Sequence, residues 1–151
     1  MSRTPLRRKS KSVINEVKEK GNMSIKDKCW SQFSIYIRTR DCLLTTGCAA
    51  FGFCITCGKR YHFKLLQAGH FIPGRHLNNL FSEKGTHAQC YNCNINLKGN
   101  TLEYRRRIIK MYGEGFDEVL EKEAQKERKF QPSELEELIV YYKKQIHKLG
   151  G

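Results

Sequence analysis

The sequence predicts an α+β protein: a small zinc-clipped strand–strand–helix core flanked by helices. Two Cys-x-x-Cys pairs, Cys54–Cys57 and Cys90–Cys93, supply four thiolates in two knuckles, the set that closes a tetrahedral zinc site with no open position. The 32 residues between Cys57 and Cys90 hold four of the five histidines (His62, His70, His76 and His87) and a Gly-His-x-x-Pro turn at Gly69–Pro73. Apolar residues at helical spacing lie on both sides of this segment. A closed zinc site does no chemistry itself. A clip that pins both ends of a His-rich insert therefore points to a scaffold for a second, catalytic site, and the reading is a metal-dependent nuclease.

Residues 1–24 are poor in large apolar side chains and rich in Lys, Arg and Ser, which predicts a basic flexible arm with at most a short helix near Val13–Lys20. From Ile25 to Leu44, Trp30, Phe33, Tyr36 and Ile37 follow helical spacing and read as core, with Thr45-Thr46-Gly47 ending the helix. Short strands are expected at Phe51–Cys54, Lys59–Phe63 and Gln67–Ile72, with Gly58 supplying the positive φ of the first knuckle. His70 falls at the end of the third strand, and Pro73-Gly74 turns the chain into a loop through Asn78–Gly85. The second knuckle opens a helix near Asn92–Lys98, interrupted at Gly99-Asn100. Thr101 then caps a helix over Leu102–Tyr112 with Glu103 in its first turn. A charged helix follows at Phe116–Lys129, and a Ser-x-x-Glu capping box after Pro132 starts the last, striped by Leu135, Leu138, Ile139 and Tyr142. The organisation is thus an arm at 1–24, a zinc-containing core with its leading helix at 25–112, and a helical region at 113–151.

The formal net charge is +13, and it is unevenly placed. Residues 1–28 carry nine Lys/Arg and three Asp/Glu, residues 29–112 twelve and three, and residues 113–151 seven and nine. The positive excess coincides with the His/Cys segment, so a polyanion beside the metal site is the simplest partner. The first apolar run is too short for a signal peptide, and no stretch approaches the length of a membrane span, so neither secretion nor a membrane partner is expected. Seven cysteines, four of them in knuckles, fit a reducing compartment, leaving Cys29, Cys42 and Cys48 as free thiols that act as small apolar residues.

Phosphodiester cleavage needs a base for water, a cation for the developing charge and donors for the phosphate. A neutral imidazole on a rigid strand suits the first role, and a hard divalent ion on oxygen or imidazole ligands the second. His70, before the turn, and Asn94, on the helix facing it, are spaced to serve if zinc holds strand and helix together.

Gly-His-x-x-Pro between two Cys-x-x-Cys pairs, with Asn94 after the fourth cysteine, resembles the zinc-clipped HNH, or ββα-metal (His-Me finger), nucleases, with spacing similar to that of endonuclease VII. A longer set of motifs is more specific. Ala68-Gly69-His70-Phe71, His87-Ala88-Gln89-Cys90-x-x-Cys93-Asn94 and Leu97-x-Gly99-Asn100-x-x-Glu103-Tyr104 resemble the lambdoid phage NinG family, whose members are also called Rap. Tyr36-Ile37-Arg38-x-Arg40-Asp41 and Cys57-Gly58-Lys59 extend the resemblance, which runs from about Ile25 to Leu149. It implies a ββα-metal core and action on branched recombination intermediates, in the cytoplasm of a phage-infected cell.

By this resemblance Cys54, Cys57, Cys90 and Cys93 hold structural Zn²⁺, His70 is the general base, and Asn94 is a ligand of a catalytic Mg²⁺ or Mn²⁺. HNH enzymes often carry Asp immediately before the base, where this chain has Gly69, and their middle Asn is replaced by Gly85. His87 and Glu103 are the candidates to complete the cation's shell, with His76 a third. His62 and His147 are expected to be neither base nor ligand, and Asp41 to cap or pair locally. Arg75, His76, Lys98, Arg105 and Arg106 are the candidate DNA contacts. Resolution of a two-fold symmetric junction would favour a homodimer. Two alternatives stand beside the nuclease: a non-catalytic zinc module that binds branched DNA, and an adaptor acting through the acidic C-terminal helices.

Overall fold

The computed structural model describes residues 23–73 and 78–150. The expected helix at Val13–Lys20, most of the arm, Arg75 and His76 lie outside them.

Helix α1 (Ile25–Thr46) begins at Ser24, whose Oγ accepts the Asp27 N–H, and ends at Gly47, whose N–H donates to Leu43 O. It runs two residues further than expected, because both threonine hydroxyls at its end bond back to carbonyls one turn earlier. Cys29, Phe33 and Ile37 recur every fourth residue and are wholly buried. Strands β1 (Phe51–Phe53) and β2 (Arg60–His62) form an antiparallel hairpin that carries the first knuckle. A 3-10 turn at Phe63–Leu65 leads into β3 (Leu66–His70), which pairs antiparallel with β4 (Thr86–Cys90) in the register Leu66↔Cys90 to His70↔Thr86. His62 caps that turn, its Nδ1 accepting from Lys64 N–H.

Strand β4 departs from the sequence reading, which assigned no strand there. Its residues Thr-His-Ala-Gln-Cys are buried at every position although only Ala and Cys are apolar. Period-2 alternation arises when one face is wet. Here both faces are covered, and Arg40, Asp41 and Thr56 from other elements take up several of its hydrogen bonds.

After β4 a π-helical turn at Asn92–Asn96 replaces the expected helix to Lys98. Lys98, Gly99 and Asn100 then take left-handed conformations (φ 50°, 93° and 45°) and start α2 (Thr101–Tyr112), so Asn100 and not Thr101 is the N-cap residue. Helix α3 (Phe116–Ala124) stops five residues short of its expected end, and α4 (Pro132–Lys148) follows. Pro132 occupies the first turn of α4, so the cap falls at Gln131, two residues before Ser133. The capping box is Gln131 with Glu134, not one built on Ser133.

Two apolar clusters flank the β3–β4 pair. Phe33 and Ile37 of α1 meet Ala68 of β3 and Tyr142 of α4 on one side. Phe71, Tyr104, Ile108 and Leu120 join the end of β3 to α2 and α3 on the other. Helix α4 therefore packs directly on the leading helix of the core. Tyr104 Oη donates to Gly69 O at 2.6 Å, which pins the end of β3 to α2. Among the described residues no helix is long and apolar enough to cross a membrane.

Candidate metal centre and the cleft beside it

Cys54, Cys57, Cys90 and Cys93 converge, their sulfurs all within 4.8 Å of one another, and only Cys57 is exposed. The first knuckle turns through Gly58, at φ 71°, whose N–H donates to Cys54 O. In the second, Cys93 N–H points at Cys90 Sγ at 3.4 Å, and the Asn100 amide donates to Cys93 Sγ. Burial raises the Cys54 thiol, but hydrogen bonds from Thr56 and from backbone N–H groups bring it down to about 6. Burial and the neighbouring sulfurs push Cys57 up to about 12. A cation is the natural way to hold four sulfurs this close, and four soft ligands in two knuckles can hold zinc. A metal held here would have all four ligand positions filled by the protein and none open for chemistry.

His70 and Asn94 share a separate cleft. Trp30, Ala68, His70, Phe71, Pro73, Asn94, Lys98 and Gly99 line a space of about 380 Å³ beside the end of β3. The His70 ring stacks on Trp30 with centroids 5.1 Å apart and planes 22° apart. Its Nε2 lies 2.9 Å from Leu80 O. A carbonyl oxygen only accepts, so Nε2 carries a hydrogen in this contact. Asn94 donates through Nδ2 to Gln67 Oε1 at 2.8 Å, which turns its own Oδ1 toward Gly69.

The structure does not bring His87 or Glu103 to this cleft, which corrects the expectation that they complete the cation's shell there. His87 faces Gly69 in register, yet its ring lies in a buried network. Nδ1 is 3.3 Å from Asp41 Oδ2, and Nε2 is 3.1 Å from both Lys84 O and Tyr112 Oη. Arg40 closes that network, donating to Asp41, Glu83 O and Thr86 O, while Asp41 Oδ2 accepts the Ala88 N–H at 2.7 Å. Burial alone would raise the Asp41 carboxyl. The His87 hydrogen bond and the Arg40 charge outweigh it and hold the carboxyl below its ordinary value. Glu103 lies on the α2 surface, paired with Arg106 at 2.9 Å and Arg107 at 3.4 Å, its carboxyl lowered chiefly by the Arg106 bond.

The candidate DNA contacts divide. Lys98 is exposed at the rim of the cleft. Arg106 is well exposed on α2. Arg105 instead clamps α3, bonding Asp117 at 2.6 Å and Glu121 at 2.5 Å. It is a helix–helix contact and not a poised phosphate ligand.

Three roles escaped the sequence reading. Trp30 packs against the Phe33 and Ile37 core cluster as expected, and its ring also stacks on His70, a second role its helical spacing does not reveal. Leu80 acts through its backbone, which leaves no side-chain signal. Gln89, wholly buried, donates through Nε2 to Thr56 Oγ1 and to Gly99 O, tying the two knuckles together, while its Oε1 has no hydrogen-bond partner. The one signal for Gln89 in the sequence is its place directly before the clip residue Cys90.

The protein is thus of mixed helix-and-sheet class, with a four-cysteine cluster that can hold a metal and, beside it, a cleft lined by an imidazole and a carboxamide. The family described as Bacteriophage Lambda NinG protein matches residues 3–150, and the chain belongs to it. The match includes nearly all of the N-terminal arm, which the motif resemblance had left uncovered. No curated protein and no solved structure matches the chain.

Proposed function

We propose that this protein is a Mg²⁺- or Mn²⁺-dependent endodeoxyribonuclease of the HNH (ββα-metal) type that cuts branched recombination intermediates such as Holliday junctions or D-loops. Family membership implies a role related to phage recombination. The observation that carries the nuclease reading is the shared cleft of His70 and Asn94, with His70 Nε2 donating to Leu80 O.

His70 takes the proton of a water placed against the scissile phosphorus, and the Leu80 carbonyl steadies the imidazolium that forms. Asn94 Oδ1 holds the divalent cation, which when bound stabilises charge on the phosphate and on the leaving oxygen. Lys98 at the rim pairs with backbone phosphate. Trp30 keeps the base ring in one orientation. A base of this kind contributes about 10²–10⁴-fold to rate.

The test is a labelled four-way junction incubated with the zinc-loaded protein, with and without Mg²⁺ or Mn²⁺. Cation-dependent nicking is expected, and His70→Ala should lower it by about 10²-fold or more while retaining junction binding. Cleavage by His70→Ala at the parent rate removes His70 as the base. One observation favours a second reading, a non-catalytic zinc module that binds branched DNA: no carboxylate lines the cleft among the described residues. That module would bind the junction with the same salt dependence and never nick it.

A further inference from the structure

One face of the protein runs against the charge of the rest. Where α3 and α4 meet, a space of about 560 Å³ is lined by Glu123, Glu134 and Glu137 and by the rings of Phe130 and Tyr141. Among the described residues its lining has one cation, Arg128, which already bonds Glu134 at 3.1 Å and lies 4.5 Å over the Phe130 ring. Glu123 and Glu137 are exposed and join no ion pair among the described residues. A fourth carboxylate, Glu83, stands close by: after burial, its charge is what most raises the Tyr142 hydroxyl. In a chain of net charge +13, a groove that is acidic and aromatic suits a basic segment.

The groove leads to where the N-terminal arm joins the fold. Arg128 and Phe130 also line a second space, of about 730 Å³, together with Ile25, Lys26 and Leu135. Sharing two residues, the spaces adjoin, and Ile25 is the first residue of α1. This root carries Lys26, Arg128 and Lys129 against one carboxylate, Glu127, so the acidic stretch lies beyond it. Residues 1–15 hold Arg3, Arg7, Arg8, Lys9 and Lys11 and no Asp or Glu. Lys11 is 14 residues before Ile25, a reach of up to about 45–50 Å. From Leu135 to Tyr141 α4 rises only about 9 Å, so the tether does not limit which acid the basic run meets. A tether of this kind gives an effective concentration of about millimolar, which favours the chain's own arm over a basic partner from solution.

We propose that the run from Arg7 to Lys11 docks in this acidic groove when no nucleic acid is bound, and that DNA phosphates compete for it. The groove then acts as a brake: DNA must displace the arm before the arm's cations can contact phosphate. Exposed ion pairs are individually weak and screened by salt, so the docking is reversible. Docking stands apart from the nuclease reading above, and the release step uses only its DNA partner.

The experiment couples Lys amines to adjacent carboxylates with a carbodiimide in the full-length, zinc-loaded protein, at low salt and without added Mg²⁺ or Mn²⁺. Unlabelled and heavy-isotope-labelled chains are mixed in equal amounts, and the linked peptides are read by mass spectrometry. Links from Lys9 or Lys11 to Glu123, Glu134 or Glu137 are expected within single chains, fading as an intact four-way junction is titrated in. In a parallel binding series, Glu123→Gln/Glu137→Gln should bind the junction about three- to fivefold tighter than the parent, the worth of two exposed ion pairs. Glu134 is left in place because it caps α4. The gain should vanish when Arg7, Arg8, Lys9 and Lys11 are also changed to Gln, because the groove then has no basic run to hold. Absence of these links, or links only between labelled and unlabelled chains, overturns docking of the arm in its own groove. An equal gain with and without the arm's cations means that the glutamates act on DNA by bulk charge, and overturns the brake. Links that persist at saturating junction overturn the release. Nicking is not read in either series, so its failure would strike the nuclease reading alone.

Discussion

Replacing Asp41 with Ala removes the carboxylate on which α1, β4 and the loop before it converge. Asp41 receives Arg40 Nε at 2.8 Å and the Ala88 N–H at 2.7 Å, and lies 3.3 Å from His87 Nδ1. Taking one partner from a buried ion pair costs about 3–5 kcal/mol, because the other charge is left uncompensated. Arg40 keeps 16% of its side chain exposed, which favours the lower end of that range. The stranded Ala88 N–H adds about 1–3 kcal/mol. These effects belong to one network and do not simply add, so the expected loss is about 4 kcal/mol. At about 2–4 °C per kcal/mol for a chain of this size, the melting point should drop by about 8–16 °C. Asp41→Asn keeps an acceptor for Ala88 and should lose less, about 2–3 kcal/mol. Urea unfolding followed by circular dichroism, with zinc in fixed excess so that linkage does not intrude, gives the comparison. A loss below about 1 kcal/mol for Asp41→Ala would show that the network is not what holds β4 in place.

The Asp41 carboxyl is held below its ordinary value, so its contribution is complete above the unfolded value of about 4 and disappears as pH falls through the lower folded one. The stability gap between parent and Asp41→Asn should therefore narrow on acidification, and a gap that widens contradicts the assignment. Lys98→Ala should weaken junction binding and flatten its dependence on log salt by about one unit, as loss of one phosphate contact does, measured by fluorescence anisotropy across a salt series. Arg105→Ala should leave that slope unchanged and cost no more than about 1 kcal/mol of stability, since its partners are Asp117 and Glu121 and the pair is partly exposed. An altered slope for Arg105→Ala would return it to the DNA surface.

What the sequence disclosed and what it hid follow from the range of the forces involved. The α1 stripe at Trp30, Phe33, Tyr36 and Ile37 and the two knuckles are local patterns, fixed by helical period and by ligand spacing, and they emerge where expected. Strand β4 is decided by groups more than forty residues away: Asp41 accepts from its backbone, and Arg40 donates to Thr86 O. No window along the chain contains that information. His87 was drawn toward the cation by its chemistry, but the Arg40–Asp41 pair claims its ring, and Glu103 pairs with arginines on its own helix. Arg105 looked like part of a basic run because its acidic partners arrive on α3. The place filled by Gln89 shows only once Gly69 and β4 stand side by side.

A zinc ion in the four-cysteine cluster and the α1–α4 packing would stabilise different parts of the chain, and this separation predicts how the protein comes apart. Lys98, Gly99 and Asn100 are three successive left-handed residues, two of them not glycine, each of those costing about 1–2 kcal/mol of backbone strain. What holds them leads back to the knuckles: Gly99 N–H donates to Cys93 O, the Asn100 amide to Cys93 Sγ, and Gln89 to Gly99 O. The cluster of Phe33, Ile37, Ala68 and Tyr142 contains none of these groups. Chelating the zinc should therefore release β1, β2 and the segment from Cys90 to Asn100 first, moving Asn94 and Lys98 out of register with His70 while α1 stays packed on α4. Hydrogen exchange with mass spectrometry after chelation should show protection lost over residues 51–62 and 90–100 but kept over 29–42 and 135–142. Simultaneous loss in all four segments would mean that the metal supports the whole chain as one cooperative unit, and that junction binding and zinc content should then fall together with global stability.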